Sequence, residues 1–199
     1  MKTRILGIDP GSRVTGFAVL EHKDRRFEAL CCDVIRLTGT EDAFDRLRQL
    51  YSETSALIAE YRPDFCAIET PVYGKDPSAM LKLGRAQAAV IMSVLHHDVP
   101  LFEYYPKAVK KAITGTGNAS KNQVAYMLHK LVQMPDDALP ADATDALAVA
   151  WCHFQKLQDP GAGREGDQGR SGTGSSSTRN RKNTWSAFVA NNPERIIKR

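Results

Sequence analysis

The chain has 199 residues, with 27 Lys and Arg against 23 Asp and Glu, so its formal net charge is +4. This composition is typical of a folded globular protein, and the absence of a long apolar run predicts no membrane-spanning helix. The N-terminus lacks the apolar core and cleavage site of a signal peptide. The four cysteines lack zinc-ligand spacing. We therefore expect a reduced, cytoplasmic protein without a membrane partner.

The charge is divided unevenly between a body, residues 1–158, and a tail, residues 159–199. The body contains nineteen basic and nineteen acidic residues, whereas the tail contains eight basic and four acidic ones. The tail begins as a Gly- and Ser-rich, basic segment without apolar periodicity, which predicts a flexible linker. Its last residues regain aromatic and aliphatic side chains and form either a short docking element or a disordered end. We predict one folded domain over 1–158.

The apolar pattern of the body predicts strands first and then alternating helices and strands. Three strands are predicted over 3–8, 14–20 and 26–37, the first two forming a hairpin. A helix with Thr40 as its N-cap follows and ends at Tyr61. The remaining predicted elements are a strand at 64–69, a helix at 77–97, a strand at 99–105, and helices at 106–113, 120–132 and about 140–157.

This order of elements predicts an α/β fold. The early strands favour an antiparallel meander, and the strand–helix–strand units favour parallel additions to it. We therefore expect a five-stranded mixed sheet flanked by helices on both faces.

Four acidic residues stand at positions where a structural role alone explains them poorly. Asp9 and Glu69 each end an apolar strand, and parallel strands would bring both to one edge of the sheet. Asp142 and Asp145 are three residues apart at the start of an apolar helix, so they share a face. Each acid alone is a common turn or cap residue, but four together indicate a site.

Clustered carboxylates repel one another unless a cation pairs them. Oxygen ligands without a His or Cys cluster favour Mg²⁺ or Mn²⁺. Two such ions about 4 Å apart can promote attack on a phosphodiester and stabilise its leaving oxygen.

A basic, acid-free stretch covers residues 104–135 and contains five lysines, a glycine-containing loop and two adjacent tyrosines. Such a stretch is either a phosphate-facing surface or an ordinary solvated helix face. The loop at 115–121 favours the first interpretation, because glycine lets a backbone approach a ligand closely.

Five segments in order resemble the RuvC family of Holliday-junction resolvases, which have the RNase H-like fold. They are ILGIDPGSRVTGFAVL, AIET, LKLGRAQAAV, GTGNASKNQV and ADATDALAVA. The resemblance covers about residues 3–157. The resemblance implies a homodimer that nicks two strands of a four-way DNA junction symmetrically and leaves 5′-phosphate and 3′-hydroxyl ends. It also implies two Mg²⁺ per subunit, replaceable by Mn²⁺, and cooperation with a RuvA–RuvB branch-migration complex.

The resemblance also assigns roles to residues. The metal-binding catalytic carboxylates fall on Asp9, Glu69, Asp142 and Asp145. The basic residues near the scissile phosphate and the DNA backbone fall on Lys110 and Lys121, and Lys121 is also predicted to be catalytic. Further DNA contacts are predicted from Lys107, Lys75 and Arg85. The family often has Phe where this chain has Val72, so we predict that Tyr73 is the aromatic residue at the junction centre.

Three alternatives remain at this point. The segment GIDPGSRVTGFAV is also similar to the first phosphate loop of actin-like ATPases, although the chain lacks their second phosphate motif and second domain. A nuclease of the same fold for RNA–DNA hybrids is a second alternative. A junction-binding module without catalysis is a third, against which the four carboxylates argue.

Overall fold

The chain begins with a three-stranded antiparallel meander, as predicted, and then alternates helices with parallel strands. The computed structural model describes residues 2–37, 42–71, 74, 76–135 and 139–158, which lie in one unit spanning Met1–Gly166. The elements are β1 (Thr3–Asp9), β2 (Val14–Lys23), β3 (Arg26–Arg36), α1 (Ala43–Tyr61), β4 (Phe65–Glu69), α2 (Pro77–His96), β5 (Leu101–Tyr104), α3 (Pro106–Thr114), α4 (Lys121–Leu131) and α5 (Ala141–Gln158).

The sheet is mixed, with strand order β3-β2-β1-β4-β5. β1 pairs antiparallel with β2 and parallel with β4, and β5 joins β4 in parallel. The two parallel strands, β4 and β5, therefore extend the meander only on the side of β1. The predicted five-stranded mixed sheet is confirmed.

Helices cover both faces of the sheet and bury a separate apolar cluster on each. One cluster includes buried residues of α3, α4 and α5, and the other includes those of α1 and α2. α5 is the most buried helix because its inner positions are mainly Ala, Leu and Val. Among the described residues, no helix has the length and apolarity needed to cross a bilayer.

Two strand glycines allow α5 to lie unusually close to the sheet. A Cβ added to Gly7 would lie 2.1 Å from the carbonyl oxygen of Ala146, and one added to Gly16 would lie 1.9 Å from that of Asp142. Any side chain at these positions would push the helix outward. The start of α5 therefore rests directly against β1 and β2.

The start of α1 differs from the prediction. The N-cap is Asp42, whose carboxylate accepts hydrogen bonds from the backbone N–H groups of Phe44 and Asp45. Thr40 lies outside the described residues, and the helix begins later than expected because Asp caps a helix at least as well as Thr. The predicted tail, 159–199, and the predicted contacts Tyr73 and Lys75 also lie outside the described residues.

Candidate functional site

Three carboxylates meet where the carboxyl ends of the strands face the start of α5. One ligand oxygen from each of Asp9, Asp142 and Asp145 lies within 4.8 Å of the others. Glu69 lines the same cleft, together with Asp9 and Asp145, and the cleft has a volume of about 200 Å³. The structure thus brings all four predicted acids to one region.

The topology explains why these acids converge. β1 and β4 are parallel and in register up to Ile8 and Ile68, so Asp9 and Glu69 follow at equivalent positions at one edge. Both side chains lie at strand ends next to buried aliphatic residues. Asp142 and Asp145 lie in the first turns of α5, which the glycine contacts hold against the sheet.

The mutual electrostatics of these carboxylates are unfavourable. Burial, followed by repulsion from Asp145 and Asp142, raises the pKa of Asp9 to about 6. Burial, followed by repulsion from Asp9 and Asp145, raises the pKa of Glu69 to about 7. At neutral pH the cluster therefore holds negative charge at a cost in folding free energy, which a bound cation would offset.

Two lysines from the acid-free stretch reach the same cleft. Lys121 forms an ion pair with Asp145, and this hydrogen bond is the main reason that the pKa of Lys121 is raised. Lys110 lines the cleft from α3. The positive charges of both lysines partly offset the rise in the pKa of Glu69, so they act on the carboxylates of the cleft.

Local structure places Lys121 at the first position of α4. Ser120 is the N-cap, and Ser120 and Gln123 form a reciprocal capping box. Such a box fixes where a helix begins, because it satisfies free N–H groups at the helix end. The backbone of Lys121 is consequently held at a defined position, from which its ammonium group reaches Asp145 of α5.

The donor set fits a hard divalent cation. The converging ligand atoms are carboxylate oxygens, which Mg²⁺ and Mn²⁺ prefer. Burial and then mutual repulsion raise the pKa values of Asp9 and Glu69, and a bound cation would favour their ionised forms. Asp9, Asp142 and Asp145 would hold one ion together, and Glu69 could join through its position in the cleft.

The other predicted DNA contacts occupy different surroundings. Lys107 is exposed on α3, close in sequence to Lys110. Arg85 is exposed on α2, which packs against the opposite face of the sheet, and it is not among the residues lining the cleft.

Sequence reasoning missed two groups of residues around the cleft. Pro106, Val109, Val124 and Ala148 form its apolar lining, and nothing in their local sequence pattern indicated this. The glycines of β1 and β2 that admit α5 were also missed. A signal existed for these glycines, since Gly inside a strand often marks a close approach by another element.

A part-buried polar pair connects the last strand to α5. The hydroxyl of Tyr104 lies 2.7 Å from Nδ1 of His153, whose ring stacks on Phe102. Burial lowers the pKa of His153 to about 4, so its ring is neutral at physiological pH. This pair fixes the end of β5, from which α3 begins, relative to α5.

The model of the family "Crossover junction endodeoxyribonuclease RuvC" matches residues 5–153. The chain belongs to the RuvC family. The RuvC protein of Salinibacter ruber is 42% identical over 192 residues, which cover 96% of this chain and 98% of the relative.

Solved RuvC structures agree with this. The Thermus thermophilus RuvC in complex with a Holliday junction substrate has 27% identity and a TM-score of 0.74, covering 78% of this chain and 95% of that one. A second T. thermophilus RuvC structure has 28% identity and a TM-score of 0.70, covering 79% of this chain and 96% of that one. The predicted RNase H-like fold is therefore confirmed, and the actin-like ATPase alternative is set aside.

Proposed function

We propose that this chain is a metal-dependent endodeoxyribonuclease that resolves four-way DNA junctions in recombination and repair. The observation that carries the proposal is the convergence of the carboxylates of Asp9, Asp142 and Asp145 in a cleft lined by Glu69 and basic residues. Family membership supports the same activity, since the RuvC proteins to which this chain is similar are named crossover junction endodeoxyribonucleases.

We assign two Mg²⁺ ions per subunit to the four carboxylates, with Mn²⁺ as a substitute. When bound, the ions would lower the pKa of a nucleophilic water and stabilise charge on the phosphate. The residues of the chain hold and orient this arrangement. Lys121 contributes positive charge at the cleft, where it would stabilise the additional negative charge of the phosphorane-like transition state. No side chain serves as a covalent nucleophile.

Positive residues around the cleft would bind the DNA backbone. Lys110 lies in the cleft and Lys107 is exposed on the same helix, so both suit phosphates on either side of the cut. We retain Arg85 and Lys75 as proposed contacts with more distant parts of the junction, and Tyr73 as the proposed aromatic residue at the junction centre. Phosphate contacts carry no sequence information, so preference for a branched substrate depends on shape and on the geometry of a dimer.

A homodimer would cut two strands symmetrically and leave ligatable 5′-phosphate and 3′-hydroxyl ends. An exposed apolar stripe along α2 supports this assembly. Leu81, Met92 and Leu95 are 58%, 57% and 53% exposed, and the small exposed residues Gly84 and Ala88 lie between them at helical spacing. Such a stripe fits a two-fold interface with a second copy, because burying it would remove apolar surface from water.

We further propose that the dimer acts with a RuvA–RuvB branch-migration complex in a reducing cytoplasm. The four cysteines support the reducing compartment, since all of them are free thiols. Burial raises the pKa of Cys32 to about 12 and also that of Cys66 above its ordinary value, so neither is a reactive thiolate.

The proposed function is tested with an immobile four-way junction, labelled on each strand in turn. The wild-type chain should nick the junction in Mg²⁺ and not in EDTA. Glu69→Gln should bind the junction and fail to cut it. Glu60→Gln, the same change at an exposed position on α1, should cut normally. Cleavage by Glu69→Gln at the wild-type rate would contradict the proposal.

A further inference from the structure

Tyr105 is a large aromatic residue left exposed beside the cleft. Its exposed fraction is 67%, although it connects two ordered elements, β5 and α3. Within the ranges that the structure describes, its side chain makes no hydrogen bond or ring contact. The fold therefore gives this ring no packing role, while its backbone is well fixed.

Backbone contacts place Tyr105 at the rim of the catalytic cleft. The carbonyl of Tyr104 accepts a hydrogen bond of 2.8 Å from the N–H of Thr70, the residue after Glu69. Pro106, on the other side of Tyr105, lines the cleft itself. Tyr105 thus lies between a segment that continues from one carboxylate and a residue of the cleft wall.

The backbone at Tyr105 is also rigid. Its carbonyl accepts hydrogen bonds of 2.9 Å from the N–H of Ala108 and 3.1 Å from that of Val109, so the residue is the N-cap of α3. Val109 is buried in the core, which anchors the helix. The backbone that carries this exposed ring is therefore ordered before a ligand arrives, so binding has to restrict only the side-chain torsions of Tyr105.

The charge of α3, which begins directly after Tyr105, fits a nucleic acid. α3 contains Lys107, Lys110 and Lys111 and no acidic residue. Lysines that attract phosphates, next to an aromatic ring that can stack on a base, are the usual combination in sites for unpaired nucleotides. In a linear duplex the bases are already stacked and paired, so the ring would find a base only where pairing is interrupted.

We propose that Tyr105 stacks on a nucleobase freed at the branch point of the junction, and thereby contributes to the preference for branched over linear DNA. This inference rests on the proposed function, because it needs a junction in the cleft. It adds a specificity-determining residue that takes no part in the chemical step.

The test compares binding of a four-way junction with binding of a linear duplex of the same sequence, in EDTA so that no strand is cut. Tyr105→Leu keeps an apolar side chain and removes the aromatic face. It should weaken junction binding about tenfold, as expected for the loss of one stacked base, and leave duplex binding unchanged. Tyr105→Trp should restore junction binding. Because Tyr105 is exposed, both variants should have the wild-type melting temperature.

Tyr126 provides a matched control. It is 63% exposed on α4, and Nζ of Lys130 lies 5.6 Å from its ring centroid. Neither of its sequence neighbours lines the cleft, whereas Pro106, next to Tyr105, does. Tyr126→Leu should bind both DNAs as the wild type does. A 2-aminopurine at the branch point should be quenched by the wild type and by Tyr105→Trp, but less by Tyr105→Leu.

The outcomes separate this inference from the function on which it rests. A wild-type chain that binds and cuts junctions, together with a Tyr105→Leu variant that keeps the full junction preference, would overturn the inference alone. An equal loss in Tyr126→Leu would also overturn it, because the effect would then be unspecific. A wild-type chain without preference for the junction would overturn the proposed function, and the inference with it.

Discussion

Replacing Asp9 with Asn is expected to stabilise the metal-free protein while it abolishes cleavage. The reason is that Asp9 ionises reluctantly in the folded state, where burial and the neighbouring carboxylates raise its pKa from 3.8 to about 6. The folded chain therefore binds more protons than the unfolded chain between these two values. Its stability falls as the pH rises through this window and stays lower above it. Asn has no charge to desolvate, so it escapes this cost.

The size of the effect follows from that pKa difference. At about 1.4 kcal/mol per pKa unit, ionised Asp9 costs at most about 3 kcal/mol. Water and counter-ions enter the open cleft and screen the repulsion, so we expect roughly half of this figure, about 1–2 kcal/mol at pH 8. At pH 5, where folded Asp9 is largely protonated, the gain should be about half as large. For a chain of this size, a gain of about 1–2 kcal/mol raises the melting temperature by a few degrees.

Magnesium should make the wild type more stable than Asp9→Asn, which is the reverse of their order in EDTA. A cation that binds only the folded state stabilises it by about 2.7 kcal/mol at a hundred times its dissociation constant. The wild type should gain this stabilisation, whereas Asp9→Asn lacks one ligand and should gain little. Thermal melts followed by circular dichroism, in EDTA and in Mg²⁺ at pH 5 and pH 8, give four melting temperatures for each protein.

Glu60→Gln is the control for the loss of one carboxylate, because Glu60 is exposed on α1. Its melting temperature should equal that of the wild type in every buffer. The electrostatic reasoning is refuted if Asp9→Asn melts at or below the wild-type temperature in EDTA at pH 8. It is also refuted if Mg²⁺ stabilises the variant as much as it stabilises the wild type.

Three further predictions concern the same cleft. Lys121→Ala should slow single-turnover cleavage about 100-fold with junction affinity nearly unchanged, because the lysine acts on charge in the transition state; an unchanged rate would contradict this role. The apparent affinity for Mg²⁺, measured by calorimetry, should rise from pH 6 to pH 8 with release of protons, because protons compete at Glu69, of pKa about 7, and Asp9, of pKa about 6; a pH-independent affinity would contradict it. Gly16→Ala should weaken Mg²⁺ binding about tenfold, since its Cβ would meet the carbonyl of Asp142 and displace α5; wild-type affinity in this variant would show that the close contact does not position the carboxylates.

The site could be predicted from sequence where local pattern and topology determine position. Asp9 and Glu69 each interrupt an apolar strand at its end, so a parallel pairing was enough to place them together. The spacing of Asp142 and Asp145 fixed their common helix face. The resemblance then supplied Lys110 and Lys121, and the structure brings both to the cleft. The roles of the four acids as metal ligands and of the two lysines as phosphate contacts remain predictions.

Contacts between distant segments could not be predicted in this way. The hydrogen bond between Tyr104 and His153 joins residues 49 positions apart, and neither residue has a local pattern that indicates it. The exposure of Tyr105 likewise depends on how β5 ends against the segment after Glu69. The start of α1 was misplaced because several residues able to cap a helix precede it, and Asp42 takes that position.

The most direct test of the central claim is the mapping of cleavage products on an immobile four-way junction and on a linear duplex of identical sequence. With Mg²⁺, the wild type should nick two opposite strands of the junction at symmetric positions, and DNA ligase alone should reseal the products. The duplex should stay intact, and EDTA should stop the reaction. Equal cutting of the duplex, or cutting of the junction in EDTA, would contradict the account of a metal-dependent junction resolvase.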